Sequence, residues 1–197
     1  RKKMLSYEES LKILKETKAL IDGHFILSSG FHSPRYVQCA QLLSKPKKAS
    51  QICNSLAEKI RSSFEDFDLI LSPAMGGIVI GYEIGRILNK ETIFSERVEG
   101  EFKLRRNFLI KKNNKVLIIE DVITTGKSSL ECSKLVSSAG AKLVGYACII
   151  DRSEKKESVI KEKIVSQVEL DIPTYTKDNL PKSLSLIEAV KPGSRNL

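Results

Sequence analysis

Two adjacent acidic residues, Glu120 and Asp121, stand directly in front of a short turn that is rich in hydroxyl groups. The turn reads Thr-Thr-Gly-Lys-Ser over 124–128 and opens a predicted helix over 127–138. Backbone N–H groups at the start of a helix, together with the positive end of its dipole, bind phosphate. Carboxylates would repel a bare phosphate, whereas the hydroxyl groups of a sugar can donate hydrogen bonds to them. The pattern therefore predicts a site for a ribose phosphate.

The stretch before the acidic pair predicts a buried strand. Val116 to Ile119 are four consecutive apolar residues, three of them β-branched, as in strands covered on both faces. A simpler interpretation is that Glu120 and Asp121 only end this strand and cap the next helix, but the combination with the turn favours a ligand site. A nucleotide P-loop is excluded, because it needs Gly five positions before Gly126, where this chain has Asp121.

Length and composition predict one soluble domain. The chain has 197 residues, of which 41% are hydrophobic and 29% charged, and no apolar run approaches the ~20 residues of a membrane span. The net charge of +9 fits a protein that handles polyphosphates, and no zinc-finger spacing or RNA-binding signature is present, so we expect neither nucleic acid nor a membrane as partner. Four separated cysteines, without a Cys-x-x-Cys pair, predict reduced, buried thiols and a cytoplasmic location.

Hydrophobic patterning predicts an α/β protein. A capping box at Ser6 and Glu9 opens an amphipathic helix over 6–20, and short β-like runs at 24–30 and 33–39 form a separate hairpin. The further predicted elements are helices over 47–63, 78–88, 127–138 and 183–190 and strands over 68–72, 92–94, 115–120, 142–150 and 164–168. Alternation of strands and helices predicts a mostly parallel central sheet flanked by helices, with ligands at the carboxyl ends of the strands.

A charged, weakly patterned segment over 95–114 interrupts this alternation, with Gly100 as a hinge candidate. A long loop inside a compact domain is usually a functional lid or unstructured. We interpret the segment as a flexible lid, and a solvated, charged hairpin is the alternative.

The stretch 116–128, with its apolar strand, acidic pair and Thr-Thr-Gly turn, resembles the fingerprint of the type I phosphoribosyltransferases. Three other segments are similar to the orotate phosphoribosyltransferase branch of that family. Residues 23–36 resemble its N-terminal hood, 72–81 its pyrophosphate loop, and 150–152 the strand end that supplies an orotate-binding arginine. The motifs follow the order of the family from about residue 6 to the C-terminal helix.

The resemblance implies a single domain over 1–197 with the type I phosphoribosyltransferase fold, in which a small hood covers about 21–45 and a lid about 95–114. It also implies the reaction: the phosphoribosyl group of 5-phosphoribosyl 1-diphosphate (PRPP) passes to orotate, giving orotidine 5′-phosphate and diphosphate for UMP synthesis. Mg²⁺ is the implied cofactor, and no residue of the chain is assigned as its ligand. A cytoplasmic homodimer, whose lid serves the neighbouring subunit's site, is implied as well.

The family motif also carries residue roles to matching positions of this chain. Glu120 and Asp121 correspond to the acids that bind the ribose hydroxyl groups, and Thr124 and Arg152 to the residues that contact orotate. The full set of implied PRPP contacts is Glu120, Asp121, Val122, Ile123, Thr124, Thr125, Gly126, Lys127 and Ser128.

Three features depart from the family pattern. Ser28 and Gly76 occupy positions at which many members have Lys. The lid lacks the histidine of the familiar motif, because the two histidines of the chain lie in the hood. The cations that remain for catalysis are Lys103, Arg97 and Arg105, and we expect Lys103 to move in and out of the site.

Two other functions stay open from the sequence. A purine phosphoribosyltransferase shares the acidic pair, although a purine base has no carboxylate for Arg152 to bind. A non-catalytic regulator could use the same fold to bind nucleotide or RNA through its basic surface. The intact Glu120–Asp121 pair and the cation-rich lid favour an enzyme.

Overall fold

A computed structural model describes residues 3–154 and 158–193. Within these residues the chain forms a six-stranded sheet and a separate two-stranded hairpin. The helices are α1 (Tyr7–Glu16), α2 (Ala40–Leu43), α3 (Pro46–Ser63), α4 (Gly76–Leu88), α5 (Lys127–Ser138) and α6 (Lys182–Ser185), with a 3₁₀ turn at Lys177–Asn179. The strands are β1 (Leu20–Ile26), β2 (His32–Val37), β3 (Leu69–Pro73), β4 (Glu91–Val98), β5 (Glu101–Leu104), β6 (Lys115–Ile123), β7 (Lys142–Asp151) and β8 (Ile164–Glu169).

The main sheet has the order β5-β4-β3-β6-β7-β8, and only the β4–β5 pair is antiparallel. This confirms the predicted mostly parallel α/β architecture. Strand β6 lies near the middle, and its side chains alternate between two cores, as the pleat requires. Leu117 and Ile119 pack with α3 and α4, whereas Val116 and Ile118 pack with α5. All four are fully buried, so the predicted two-sided burial of this strand is confirmed.

The first helix starts as predicted and ends four residues earlier. Both bonds of the capping box are present, since the Ser6 hydroxyl accepts the Glu9 N–H at 3.1 Å and the Glu9 carboxylate accepts the Ser6 N–H at 2.8 Å. The helix stops at Glu16 because Lys18 adopts a left-handed conformation with φ 62°, which turns the chain into β1. Leu20 therefore lies in a strand.

Strands β1 and β2 form the predicted hairpin, but β1 begins and ends four residues earlier than the run predicted over 24–30. The C-terminal segment pairs with this hairpin. The Val190 N–H donates to the His24 carbonyl at 2.9 Å, and the Val190 carbonyl accepts the Ile26 N–H at 2.8 Å. The predicted helix over 183–190 is therefore wrong beyond Ser185. Strand-like bonds to the hood replace helical bonds in its second half.

The two histidines are buried inside the hood. Nδ1 of His24 donates to the Ile187 carbonyl at 2.8 Å, and Nε2 of His24 lies 2.6 Å from Nδ1 of His32. Both side chains are less than a tenth exposed. They join the hood to the C-terminal segment, so both imidazoles are engaged away from solvent.

The lid segment differs from the predicted loop. Residues 95–104 belong to β4 and β5, which form the charged hairpin given above as the alternative, and the regular structure ends at Leu104. The two turn residues, Glu99 and Gly100, both have positive φ, at 52° and 85°. Two-residue turns of this kind match the twist of the strands they connect, which explains why β4 continues past Phe94.

The four cysteines are free and buried, as predicted. Burial is the main cause that raises the pKa of the Cys53 and Cys132 thiols to about 12, so both stay protonated at neutral pH. Among the described residues, no helix combines the length and the apolar character needed to cross a bilayer.

Candidate active site

Three of the predicted loops follow neighbouring strands of one sheet. Parallel β3, β6 and β7 are adjacent, so their carboxyl ends lie along the same edge. The turn after β3 leads into α4, the turn after β6 leads into α5, and Arg152 follows β7 directly. This edge brings the acidic pair, the hydroxyl-rich turn and the arginine together.

Glu120 faces α5 from the end of β6. Its Oε2 accepts a hydrogen bond from the buried Ser129 hydroxyl at 2.5 Å. Burial raises the pKa of Glu120 to about 7; the Ser129 hydrogen bond acts in the opposite direction, and the charge of Asp121 raises it further. Glu120 is therefore a carboxyl group that changes charge near neutral pH.

Asp121 faces α4. A Cβ atom built on Gly76 would lie 2.8 Å from Asp121 Oδ2 and 2.9 Å from Oδ1, so the first residue of α4 touches this carboxylate. The Val122 N–H donates to Oδ1 at 2.9 Å, and burial raises the pKa of Asp121. The departure at Gly76 thus has a steric reason, since any side chain there would displace Asp121.

The turn after β6 has the geometry of a phosphate cradle. Gly126 is the N-cap of α5 with φ 80°, a conformation that favours glycine. A Cβ atom there would also lie 2.8 Å from the Ile160 side chain. Thr124, Thr125 and Lys127 are exposed. The first N–H groups of a helix have no partner within it, so the start of α5 offers donors to an anion.

Val122 and Ile123 contribute differently from their neighbours. Both side chains pack against the hydrophobic cores, and Ile123 is 1% exposed. Ile123 therefore has only its backbone left for contacts with a ligand, whereas the side chain of Val122 is partly exposed. The Ile123 carbonyl accepts the Arg152 N–H at 2.9 Å, which ties the residue before Thr124 to the end of β7.

Arg152 is half-buried, and no carboxylate of residues 3–154 and 158–193 forms an ion pair with it. The adjacent Asp151 carboxylate accepts instead from the Ser153 N–H at 2.9 Å and the Ser153 hydroxyl at 2.5 Å. Burial lowers the pKa of the Arg152 guanidinium, but an arginine keeps its charge at any working pH. A partly desolvated cation that forms no ion pair with the residues the structure describes is suited to bind an anionic ligand.

A cleft of about 590 Å³ lies beside Arg152, at the ends of β7 and β8. Most of its lining is acidic: Asp151, Glu154, Glu169 and Asp171. Four carboxylates would repel phosphate or a carboxylate ligand, so we assign only the Arg152 wall of this cleft to the candidate site.

The lid cations lie in different environments. The Arg97 guanidinium bonds to the Glu131 carboxylate on α5 at 2.9 Å and stacks 4.2 Å from the centre of the Phe102 ring. Lys103 and Arg105 are exposed and form no ion pair with the described residues. Two of the three predicted lid cations thus form no ion pair in the described part of the chain, although the charge of Arg105 helps to lower the pKa of Glu96. The third, Arg97, is held against α5.

Two contacts at this site were not predicted. The sequence showed Gly76 as a departure without its contact to Asp121, and Ser129 was not singled out at all. Ser129 lies nine positions after Glu120, a separation that matches neither the strand nor the helix period. Only the position of a serine in the first turn of α5 could have suggested it.

The raised pKa of Glu120 predicts a pH-dependent gain in stability for Glu120→Gln. The folded-state pKa of about 7 lies above the ordinary value of 4.5. The folded protein therefore holds this proton more tightly, and its stability falls as pH rises from 4.5 through 7. Glutamine does not ionise, so the variant does not lose this stability. We expect its free energy of unfolding to rise by about 2–3 kcal/mol relative to that of the wild type between about pH 4.5 and 8.

Urea denaturation at both ends of that pH range measures the gain. Glu101→Gln, which removes an exposed charge of β5, is the control for net charge. If the free energies of unfolding of Glu120→Gln and wild type differed by the same amount at both pH values, the assigned burial of Glu120 would be contradicted.

Comparisons with known proteins bear on this site. A family model described as a phosphoribosyl transferase domain matches residues 40–177. The orotate phosphoribosyltransferase of Parvibaculum lavamentivorans is 44% identical over 194 residues, which cover 98% of this chain and 100% of that protein.

Solved structures share the fold. The crystal structure of orotate phosphoribosyltransferase from Aeropyrum pernix superposes with a TM-score of 0.66 and 23% identity, covering 81% of this chain and 92% of that one. Adenine phosphoribosyltransferase from Leishmania tarentolae superposes with a TM-score of 0.63 and 18% identity, covering 85% and 91%. Enzymes for different bases match similarly, so these likenesses describe the fold and leave the base undecided.

The family match spans the acidic pair, the phosphate cradle and Arg152, and the 44% identical relative is aligned from end to end. This chain belongs to the phosphoribosyltransferase family, in its orotate phosphoribosyltransferase branch.

Proposed function

We propose that this protein transfers the phosphoribosyl group of PRPP to orotate, forming orotidine 5′-phosphate and diphosphate for UMP synthesis. In this reaction the C1–O bond to diphosphate breaks and a C1–N bond to orotate forms. The observation that carries the choice of orotate is the half-buried Arg152, which lacks an ion pair among the described residues and is tied by its N–H to the residue before Thr124. A guanidinium there can bind the orotate carboxylate with a two-point, charge-assisted contact.

Positioning and charge stabilisation account for the catalysis that we propose. Breaking the C1–O bond builds positive charge on the ribose ring, and no protein nucleophile is needed. The ionised Glu120 and Asp121 accept hydrogen bonds from the ribose hydroxyl groups and so orient the ring. The N–H groups at the start of α5 and the hydroxyl groups of Thr124, Thr125 and Ser128 hold the 5′-phosphate. Fixing both ends of the sugar lowers the entropic part of the barrier.

The family resemblance implies Mg²⁺, and we propose that PRPP binds together with this ion. No group of three or more His, Cys, Asp and Glu side chains in the described part of the chain is arranged to hold a metal. Magnesium in such sites is held largely by substrate phosphates and water molecules, so we assign no residue of this chain as its ligand. The ion would neutralise charge on the leaving diphosphate.

A homodimer with a shared lid is supported by an apolar stripe on α4. Met75, Val79 and Tyr82 are 85%, 54% and 68% exposed, and their spacing places them on one helix face. Contiguous exposed apolar side chains mark interaction sites. Met75 adjoins Gly76 at the acidic pair, so a second copy docked on this stripe would lie beside the active site. We propose that its lid supplies cations there.

We also propose a cytoplasmic location without nucleic-acid or membrane partners. Four free, buried thiols suit a reducing compartment. The basic charge is explained by phosphate-bearing substrates. The partly buried carboxylates of Glu120 and Asp121, together with the cation-rich lid segment, favour an enzyme over the non-catalytic alternative. A purine base, in contrast to orotate, has no carboxylate to bind the half-buried guanidinium of Arg152, which forms no ion pair within residues 3–154 and 158–193.

Turnover of orotate with PRPP and Mg²⁺ tests the proposed function directly. The loss of orotate absorbance reports the reaction, and hypoxanthine and adenine serve as competing bases. We expect turnover with orotate alone. No turnover, or equal turnover with a purine, would rule the assignment out.

Arg152→Ala should weaken orotate binding much more than PRPP binding. The variant loses one hydrogen-bonded contact to a charged group, about 1.5–3 kcal/mol or roughly 10- to 150-fold in KM for orotate. Arg61→Ala, which removes an arginine paired with Glu58 on α3, is the matched control. An equal loss for both substrates would contradict the role of Arg152.

Lys103→Ala should lower kcat with little change in either KM, because the lid acts on the leaving diphosphate after binding. Lys47→Ala removes an exposed lysine of α3 and is the control for charge. Mixing Lys103→Ala subunits with Arg152→Ala subunits tests the shared lid. If each lid serves the neighbouring site, the mixture should regain about a quarter of wild-type activity through mixed dimers with one intact site. If the mixture shows only the average of the residual activities of the two separate variants, a lid shared between subunits is excluded.

A further inference from the structure

The Ser129 hydroxyl donates its hydrogen bond to a side chain outside its own helix. This serine is the third residue of α5 and is 0% exposed. Serines within helices commonly donate to a carbonyl of the preceding turn, as Ser133 does to the Leu130 carbonyl at 2.6 Å. The Ser129 hydroxyl instead donates to Glu120 Oε2 at 2.5 Å, across the boundary between α5 and β6.

We propose that Ser129 is a positioning residue of this active site, which holds one oxygen of Glu120 so that the other faces the ribose. The inference rests on the proposed function, because it takes Glu120 as the acid that accepts a ribose hydroxyl. A carboxylate held at one oxygen cannot rotate freely about its last bond. The second oxygen then keeps a fixed direction.

The charges around Glu120 give this bond a second effect. The groups whose charges interact with Glu120 are Asp121 on β6, Cys132 on α5, and Tyr146 and Cys148 on β7. Burial raises the pKa of each of the last three groups, so they stay neutral near pH 7. The Ser129 hydroxyl lowers the pKa of Glu120, against burial and the charge of Asp121. Without it, more Glu120 would be protonated and unable to accept from the ribose.

Ser129 also connects the two halves of the PRPP site. The same helix presents its first N–H groups to the 5′-phosphate and its third side chain to the ribose-binding acid. A shift of α5 toward the phosphate would therefore carry Glu120 with it. Phosphate binding and ribose orientation are coupled through one hydrogen bond.

Ser129→Ala tests the proposal. We expect kcat/KM for PRPP to fall about tenfold near pH 7, the effect of one hydrogen bond to a charged group, while KM for orotate at saturating PRPP stays unchanged. The acidic limb of the pH profile of kcat/KM for PRPP should move to higher pH, because the hydrogen bond that lowers the pKa of Glu120 is lost. The loss should consequently be larger at pH 6 than at pH 9.

Two further variants separate positioning from packing. Ser133→Ala removes a hydroxyl of the same helix that donates to the Leu130 carbonyl and interacts with Tyr146 rather than with Glu120, and it should keep the wild-type profile. Ser129→Thr retains the hydroxyl and should restore the limb to its wild-type position. A loss for Ser129→Ala that is equal at every pH, or a Thr variant as impaired as the Ala variant, would overturn the proposal.

Calorimetric titration of PRPP with Mg²⁺ keeps this test independent of orotate turnover. Wild type and Ser129→Ala are compared at pH 6 and pH 9, and urea denaturation verifies that both are folded. If the wild type binds PRPP without using orotate, the proposed function fails while the role of Ser129 is still measured. If the wild type turns over orotate and Ser129→Ala binds PRPP as tightly as the wild type at both pH 6 and pH 9, only the inference about Ser129 fails.

Discussion

Two adjacent carboxylates at the end of a buried parallel strand are the constraint on which the rest of the site depends. The pleat of β6 sends Glu120 toward α5 and Asp121 toward α4, so each acid is desolvated by a different helix. Burial raises the pKa of both carboxyl groups, and keeping them ionised lowers stability. Each is compensated by a local donor, the Ser129 hydroxyl and the Val122 N–H. Ionised carboxylates at this point lower the stability of the fold, as is common at functional sites.

The surrounding elements follow from this placement. Glycine is required where α4 meets Asp121, because a Cβ atom at Gly76 would approach its carboxylate to 2.8 Å. Glycine is also required where α5 begins, since Gly126 has φ 80° and lies under Ile160. The bond from the Arg152 N–H to the Ile123 carbonyl then fixes β7 beside the turn. The proposed ribose, phosphate and base contacts therefore all lie on one strand and its two neighbours.

The lid segment is attached to the rest of the protein by weaker interactions than the acidic pair. Besides the β4–β5 backbone pairing and the buried Phe102, its hairpin is joined by two exposed ion pairs, Arg97 with Glu131 and Arg106 with Glu96. Pairs of this kind contribute only about 0.2–1 kcal/mol each, so binding of a polyphosphate could replace them at low energetic cost. A lid built in this way can be ordered and still exchange its partners during turnover. The histidines take no part, because their imidazoles are engaged in the hood.

Local patterns in the sequence determined much of this protein. The apolar run before Glu120, the capping box at Ser6 and the turn that opens α5 are set by neighbouring residues, and all appear at the predicted places. The family motif supplied the match that the 44% identical relative confirms. Boundaries were less certain, because side chains distant in sequence decide where a helix or strand stops. Thus the segment after Ser185 is not helical as predicted, because Val190 pairs with the hood hairpin instead.

Tertiary structure alone decided the finer geometry of the site. The contact between Gly76 and Asp121 and the bond between Ser129 and Glu120 join different elements. No periodic pattern encodes such pairs, since they depend on how closely a helix approaches a strand end. The pKa of about 7 for Glu120 has the same origin, because it arises from burial by α5. The sequence alone determined that two acids stand beside a phosphate cradle; the packing of two helices decided how each acid is held.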